Sequence, residues 1–153
     1  SGVSRILNYL IKNNPNLVFF IENTAFGNSS FASNIHELNE VFKNLDCPEK
    51  VKIVIDTAHA YSYGYEINSS FIEVIKELPR DSINLIHLND SASLRGQKVD
   101  IHANIGQGNI GFENLKSFIQ DPFLKNIPII LELPDLENNK EIETLNKVKS
   151  WVT

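Results

Sequence analysis

Four short apolar runs, each without hydrophobic–polar alternation, constrain this chain more than anything else in it. They begin at residues 17, 51, 83 and 127: Leu17–Ile21, Val51–Ile55, Ile83–Leu88 and Ile127–Leu131. A run of this length with no period of two reads as a strand buried on both faces. Between the runs lie segments with apolar residues at helical spacing. Residues 4–13 place Ile6, Leu7, Leu10 and Ile11 on one face, and Asn13-Asn14-Pro15 ends that helix. A second helix begins near Asn34, with Glu37 as a capping-box partner and Ile35, Leu38, Phe42 and Leu45 inward. Ser70 with Glu73 suggests another cap, opening a helix with Phe71, Val74, Ile75 and Leu78 inward and Pro79 after it. Helices are further expected over 112–120 (Phe112, Leu115, Phe118, Ile119) and about 140–152, capped by Asn138 and Glu141, with Ile142, Leu145, Val148 and Trp151 or Val152 toward the core. Strands alternating with helices imply right-handed βαβ crossovers and a parallel sheet. The fold class expected is α/β, built of parallel (β/α) units with four strands.

Each run ends in a carboxylate or an imidazole. The first delivers Glu22, the second Asp56 and His59, the third His87 and then, from its loop, Asp100 and His102, and the fourth Glu132. Ligands of parallel α/β proteins bind at the C-terminal ends of the strands. An acid at the end of a buried strand is costly unless it is paired or bound to a cation. In an extended segment Asp100 and His102 point to the same side. A mixed set of carboxylates and imidazoles suits zinc or a similar divalent metal. Gly106, Gly108 and Gly111 follow and allow close turns. His36 is read as a solvated helix residue, Asp90 as a loop cap, and Tyr61, Tyr63 and Tyr65 as packing. Arg95 and Lys98 are weak candidates for contact with phosphate, and Cys47 is assigned no role.

Composition narrows the setting. The length, 153 residues, suits one domain, and no apolar stretch reaches the roughly 18 residues a membrane span requires. A single cysteine rules out an internal disulfide. The formal charge of −5 alone argues against nucleic acid, but each bound divalent cation would return two positive charges locally. The chain holds no methionine and starts at Ser1-Gly2-Val3, which suggests a piece of a longer protein.

Five segments carry a family resemblance. Glu22-Asn-Thr-Ala, Ile55-Asp-Thr-Ala-His-Ala60, His87-Leu-Asn-Asp-Ser91, Val99-Asp-Ile-His-Ala-Asn-Ile-Gly-Gln-Gly108 and Ile130-Leu-Glu-Leu-Pro134 resemble, in order and spacing, the successive signatures of endonuclease IV. That family comprises the zinc-dependent apurinic/apyrimidinic endonucleases of base-excision repair. The resemblance implies a TIM (β/α)8 barrel of which this chain, with four strands, is the C-terminal half. It implies a site of up to three Zn2+ held here by Glu22, Asp56, His59, His87, Asp100, His102 and Glu132. Glu22 would bridge two metals, Asp56, His87 and Glu132 would complete one of these, and His59, Asp100 and His102 would hold the third. Glu22 and Glu132 are the catalytic candidates. The activity implied is hydrolysis of the phosphodiester 5′ to an abasic site in DNA, inside the cell. Two further family histidines lie outside this half, so the chain is expected to need an N-terminal half or a second copy. Departures are Phe26-Gly27-Asn28 where glycines are usual, Ile101 where arginine is common, and Ala58 where cysteine is frequent. The alternatives are a sugar isomerase or epimerase of the related barrel superfamily, which needs only the Glu22, Asp56, His87, Glu132 set, and a half barrel that binds metal without turnover.

Overall fold

Helix packing covers one face of a four-stranded parallel sheet, and the other face is open at the two outer strands. The computed structural model describes residues 1–26, 30–134 and 140–152. The strands are β1 (Phe19–Glu22), β2 (Val51–Asp56), β3 (Ile83–His87) and, last in the chain, β6 (Ile129–Ile130), paired in the order β1-β2-β3-β6. Between β3 and β6 the chain makes a small antiparallel pair, β4 (Asp90–Ser91) with β5 (His102–Ala103). The helices are α1 (Gly2–Asn13), α2 (Ile35–Phe42), α3 (Thr57–Tyr63), α4 (Ser69–Ile75), α5 (Phe112–Ile119) and α6 (Lys140–Val152). Among the described residues no helix is long and apolar enough to cross a membrane.

Val51, Ile53, Ile55 and Ile86 belong to the buried core, where Leu38, Phe71, Ile72, Leu115 and Phe118 from the helices also lie. Phe71 and Phe118 stack at 5.8 Å between α4 and α5. With a side-chain period of two, Phe20, Val54, Leu85 and Ile130 fall on the opposite face. Phe20 is 54% exposed and Ile130 46%. The expectation of strands buried on both faces therefore holds for β2 and fails at the outer strands. Leu17 and Val18 are also exposed, and β1 starts two residues later than expected. The physical reason is position: β1 and β6 are the two edges, each with one partner. At β6 Pro128 has no N–H to give a ladder, so the strand shrinks to two residues.

Helix ends follow the caps the backbone finds. Asn34 caps α2 by accepting from His36 N, but Glu37 reaches back to Ala32 N and not to Asn34. The cap of α4 is Asn68, not Ser70, and Glu73 instead pairs with Lys76. The α3 helix has no apolar stripe to announce it; it starts because the Asp56 side chain accepts from His59 N. Asn138, the expected cap of α6, and the Gly27-Asn28 departure lie outside the described residues. In α6 only Val148 and Trp151 are buried, while Ile142, Leu145 and Val152 are exposed. That helix follows the edge strand and packs against α5, with Trp151 edge-on to Phe112 at 4.7 Å, so the rest of its stripe has nothing to cover. Ile6 on α1 is exposed for the same want of a partner.

Truncating the inter-helix stack should therefore cost far more than truncating an expected but unpacked position. Phe71→Ala is expected to lose about 3–5 kcal/mol, and Ile6→Ala to stay within about 0.5 kcal/mol, in urea denaturation of the two variants. Equal losses would mean that the α1 face is packed after all.

Candidate metal centre

The open face carries its chemistry at the C-terminal end of the sheet. Asp56 lies beside His87 in register, and Glu22 ends the neighbouring strand. Period two puts Glu22, Asp56, His87 and Glu132 on the same face as Phe20, Val54, Leu85 and Ile130. His59 comes from the first turn of α3. Asp100 comes from the loop after β4, and His102 opens β5.

Contacts join all seven side chains into one cluster. His87 Nδ1 lies 3.2 Å from Glu22 Oε1, 3.4 Å from Glu132 Oε2 and 3.8 Å from Asp56 Oδ2. His59 Nδ1 is 3.4 Å from Glu22 Oε1, and its Nε2 is 3.1 Å from Asp100 Oδ2. His102 Nε2 sits 3.1 Å from Asp100 Oδ1 and 4.0 Å from Asp56 Oδ2. Two triads have donor atoms close enough to share a cation: Glu22, Asp56 and His87, and Asp56, His59 and His102. Asp56 belongs to both. Asp100 lies between the two imidazoles of the second triad, and Glu132 beside the imidazole of the first.

The electrostatics are those of a site short of positive charge. Burial pushes the Glu22 carboxyl above its ordinary range; His87 opposes this and Asp56 reinforces it. Burial likewise raises Asp56, against the pull of His59, of the His59 N–H and of His102. Burial alone would lower His59, but Asp56, the Asn23 carbonyl, Asp100 and Glu22 together hold its imidazole above the usual value. Acids and bases in one cluster that all favour protons are what a multivalent cation would relieve. The nitrogen His102 Nε2 is buried and has no hydrogen-bond partner. Asp100 Oδ1, though 3.1 Å away, lies outside hydrogen-bond geometry. Four carboxylates, three imidazoles and an orphaned buried nitrogen fit a zinc-type ion.

Two buried asparagines were not singled out from the sequence. Asn23 accepts from Asp56 N at 2.7 Å and donates to Asp56 O at 3.0 Å, extending the β1–β2 ladder with a side chain. Its own carbonyl faces His59 Nδ1 at 2.8 Å. A carbonyl only accepts, so Nδ1 carries the proton and Nε2, toward Asp100, keeps its lone pair when the ring is neutral. Asn89 donates to Asp56 Oδ2 at 2.6 Å and Glu132 Oε2 at 3.0 Å, and accepts from Glu132 N at 2.9 Å. The one sequence cue was their position, immediately after Glu22 and two residues after His87.

The other candidates lie apart from the cluster. Arg95 pairs with Glu66 at 3.3 Å, and Lys98 rests over the Tyr63 ring. Tyr65 packs on Phe71 and donates to Asn34, and Tyr61 donates to Asn109 O, in keeping with packing roles. His36 is exposed beside Glu77. Asp90 is buried and, among the described residues, accepts from backbone amides alone, in keeping with a loop cap.

The xylose isomerase-like TIM barrel family matches residues 2–150. Apurinic-apyrimidinic endonuclease 1 of Plasmodium berghei is 34% identical, over 96% of this chain and 31% of that protein. A protein named "Probable endonuclease 4" from Mesomycoplasma hyopneumoniae is 37% identical, over 86% of this chain and 49% of its own length. The crystal structure of endonuclease IV from Thermus thermophilus superposes with a TM-score of 0.81 at 29% identity, covering 97% of this chain and 56% of that one. The chain thus spans 31% to 56% of the length of these relatives.

Removing Asn89 leaves two carboxylates and the Glu132 N–H without their partner. Asn89→Ala is expected to cost about 1–3 kcal/mol of stability and to weaken divalent-metal binding about 10–100-fold, read by thermal melting and by competition with a zinc indicator. Unchanged metal affinity would mean that the strand ends alone hold these carboxylates in place.

Proposed function

Because the chain belongs to the xylose isomerase-like TIM barrel family and its relatives are endonuclease IV proteins, we propose that the protein carrying it is a zinc-dependent apurinic/apyrimidinic endonuclease. Its reaction is hydrolysis of the DNA phosphodiester 5′ to an abasic site, in base-excision repair inside the cell. The observation that carries this reading is the second triad. A single-metal sugar isomerase needs only the strand-end set around His87; it has no use for His59, Asp100 and His102 packed against the same Asp56.

Glu22, Asp56, His87 and Glu132 hold one position, and Asp56, His59, Asp100 and His102 the other. Zinc bound there supplies neutralisation of a phosphodiester and a water of lowered pKa. Glu22, within 3.4 Å of both His87 and His59, would face both positions, and Asp56, which belongs to both triads, would share that role. Glu132 has the most open side chain of the cluster at 45% exposure, so it is the carboxylate able to take a proton from an attacking water and pass it to solvent. Asn89 fixes one Glu132 oxygen, which orients the group. Asp56, with no exposure, stays out of proton traffic and holds the two positions together.

DNA approaches from the loop side of the centre. Arg95 can exchange its exposed partner Glu66 for a phosphate, and Lys98 stands beside it on the same loop. An abasic nucleotide has no stacking or pairing to lose, so its extrusion toward the centre is cheap and selects the lesion. The open sheet face, with Phe20 and Ile130, and the two edge strands β1 and β6 are the surfaces that the remaining half of a barrel covers. A preceding half barrel in a longer chain is the partner proposed, with a second copy as the substitute when that half is lacking.

The test is zinc content together with incision of a duplex carrying one abasic site. Bound zinc and cleavage on the 5′ side, both lost on chelation and restored by zinc, are expected. Glu132→Gln is expected to keep zinc and lose about 10²–10⁴-fold in kcat. Turnover of an aldose or ketose without incision would transfer the protein to the isomerases, and zinc without either activity would leave a metal-binding half barrel.

A further inference from the structure

Outside the metal cluster the most unusual buried group is Asp90 on β4. Its side chain has no exposure, and among the described residues no cation pairs with it. Five backbone amides compensate the carboxylate. Oδ1 accepts from Ser91 at 2.8 Å, Ile110 at 3.0 Å and Gly111 at 3.3 Å, and Oδ2 accepts from Gly106 at 2.9 Å and Gly108 at 3.0 Å. Four of the five donors lie 16–21 residues ahead of it. The carboxylate therefore ties the far end of the long loop to its beginning. Asp100 and His102 lie between the tied ends.

The tie reaches the ligands directly. In the β4–β5 pair Asp90 stands opposite Ala103, and Ser91 opposite His102, so the anchor and the imidazole occupy adjacent rungs. The close approach exists only because residue 108 is glycine. A Cβ there would stand 2.4 Å from Asp90 Oδ1 and 2.5 Å from Ser91 O. The other limb of the loop is held separately. Lys98 N donates to Ser62 O at 2.8 Å, and Val99 N to Ser62 Oγ at 3.0 Å, both on α3. By contrast Glu22, Asp56 and His87 hang on strand ends that Asp90 does not touch.

We propose that Asp90 is a positioning residue for the second metal position: by gathering the amides of residues 106, 108, 110 and 111 it fixes the β5 rung that presents His102, and so sets the affinity of the His59–Asp100–His102 side alone. The inference rests on the metal-centre reading above. It assigns Asp90 no contact with metal or substrate. Its effect is local because the sheet, the α3 limb and the first triad have their own supports.

The experiment compares the full chain with Asp90→Asn, which replaces an acceptor oxygen by an amide that opposes the N–H donors, and with Gly108→Ala, which disturbs the same tie from the loop side. Zinc is titrated in by equilibrium dialysis, backbone amide hydrogen exchange is followed, and thermal melting is recorded. Both variants are expected to lose one zinc position, or to weaken it at least about ten-fold, while the other keeps its wild-type affinity. Faster exchange is expected at residues 106, 108, 110 and 111, with the melting transition still cooperative. Wild-type zinc binding with both variants unchanged overturns the role of Asp90 and leaves the centre standing. Equal loss of both positions, or a variant chain that no longer folds in both cases, also overturns it, since the residue would then serve the fold at large. A wild-type chain that binds no zinc overturns the metal-centre reading itself.

Discussion

Asp56 is the group on which the rest of the site depends. It is a carboxylate with no exposed surface at the C-terminal end of a central strand. Such a charge is costly unless its lone pairs are met. One oxygen accepts the N–H of His59 and thereby starts α3. The other accepts from Asn89 and faces His87 and His102. The same side chain thus begins a helix, aims the imidazole on that helix and belongs to both candidate metal positions. Asn23, bonded to the Asp56 backbone on both sides, holds the strand end that delivers it. A divalent cation would meet the remaining demand of the buried Glu22 and Asp56 carboxyls, which burial raises above their ordinary range.

The architecture has the same one-sidedness. Helices bury one face of the sheet, and the face that carries the ligands also carries exposed Phe20 and Ile130. In a closed barrel that face is the interior and needs no helices. The chemistry therefore sits where covering helices would have blocked it, at the rim of the face that the helices leave uncovered. The partial length relative to the endonuclease IV proteins and the open edges at β1 and β6 describe the same geometry from two directions.

Much of this was legible in the chain. The unalternating runs located four parallel strands, because both faces of each run carry apolar side chains, although at β1 and β6 one of those faces is open. The ligand-type residues stood out because a carboxylate or imidazole recurs at the end of every run, where an unpaired buried charge is costly. Other features were not. The short α3 has no hydrophobic period, since it is nucleated by a cap and not by a stripe. Asn68, not Ser70, caps α4, because the helix starts at Ser69 and the Asn68 side chain accepts the Ser70 N–H. The expected burial of Ile142 and Leu145 failed because a helical period states which face is apolar and not whether anything lies against it.

By itself the sequence determined the four parallel strands, the helices other than α3 and the identity of the ligand-type side chains, since period and chemistry are local properties. Only the tertiary structure decided their grouping. Asp56 serves two triads, Asn89 joins carboxylates on different strands, and Asp90 closes a loop around His102. These are contacts between residues far apart in the chain, 43 positions in the case of Asn89 and Glu132. Nothing in the local pattern encodes such distances; they arise when strand register brings the ends of separate runs onto one rim.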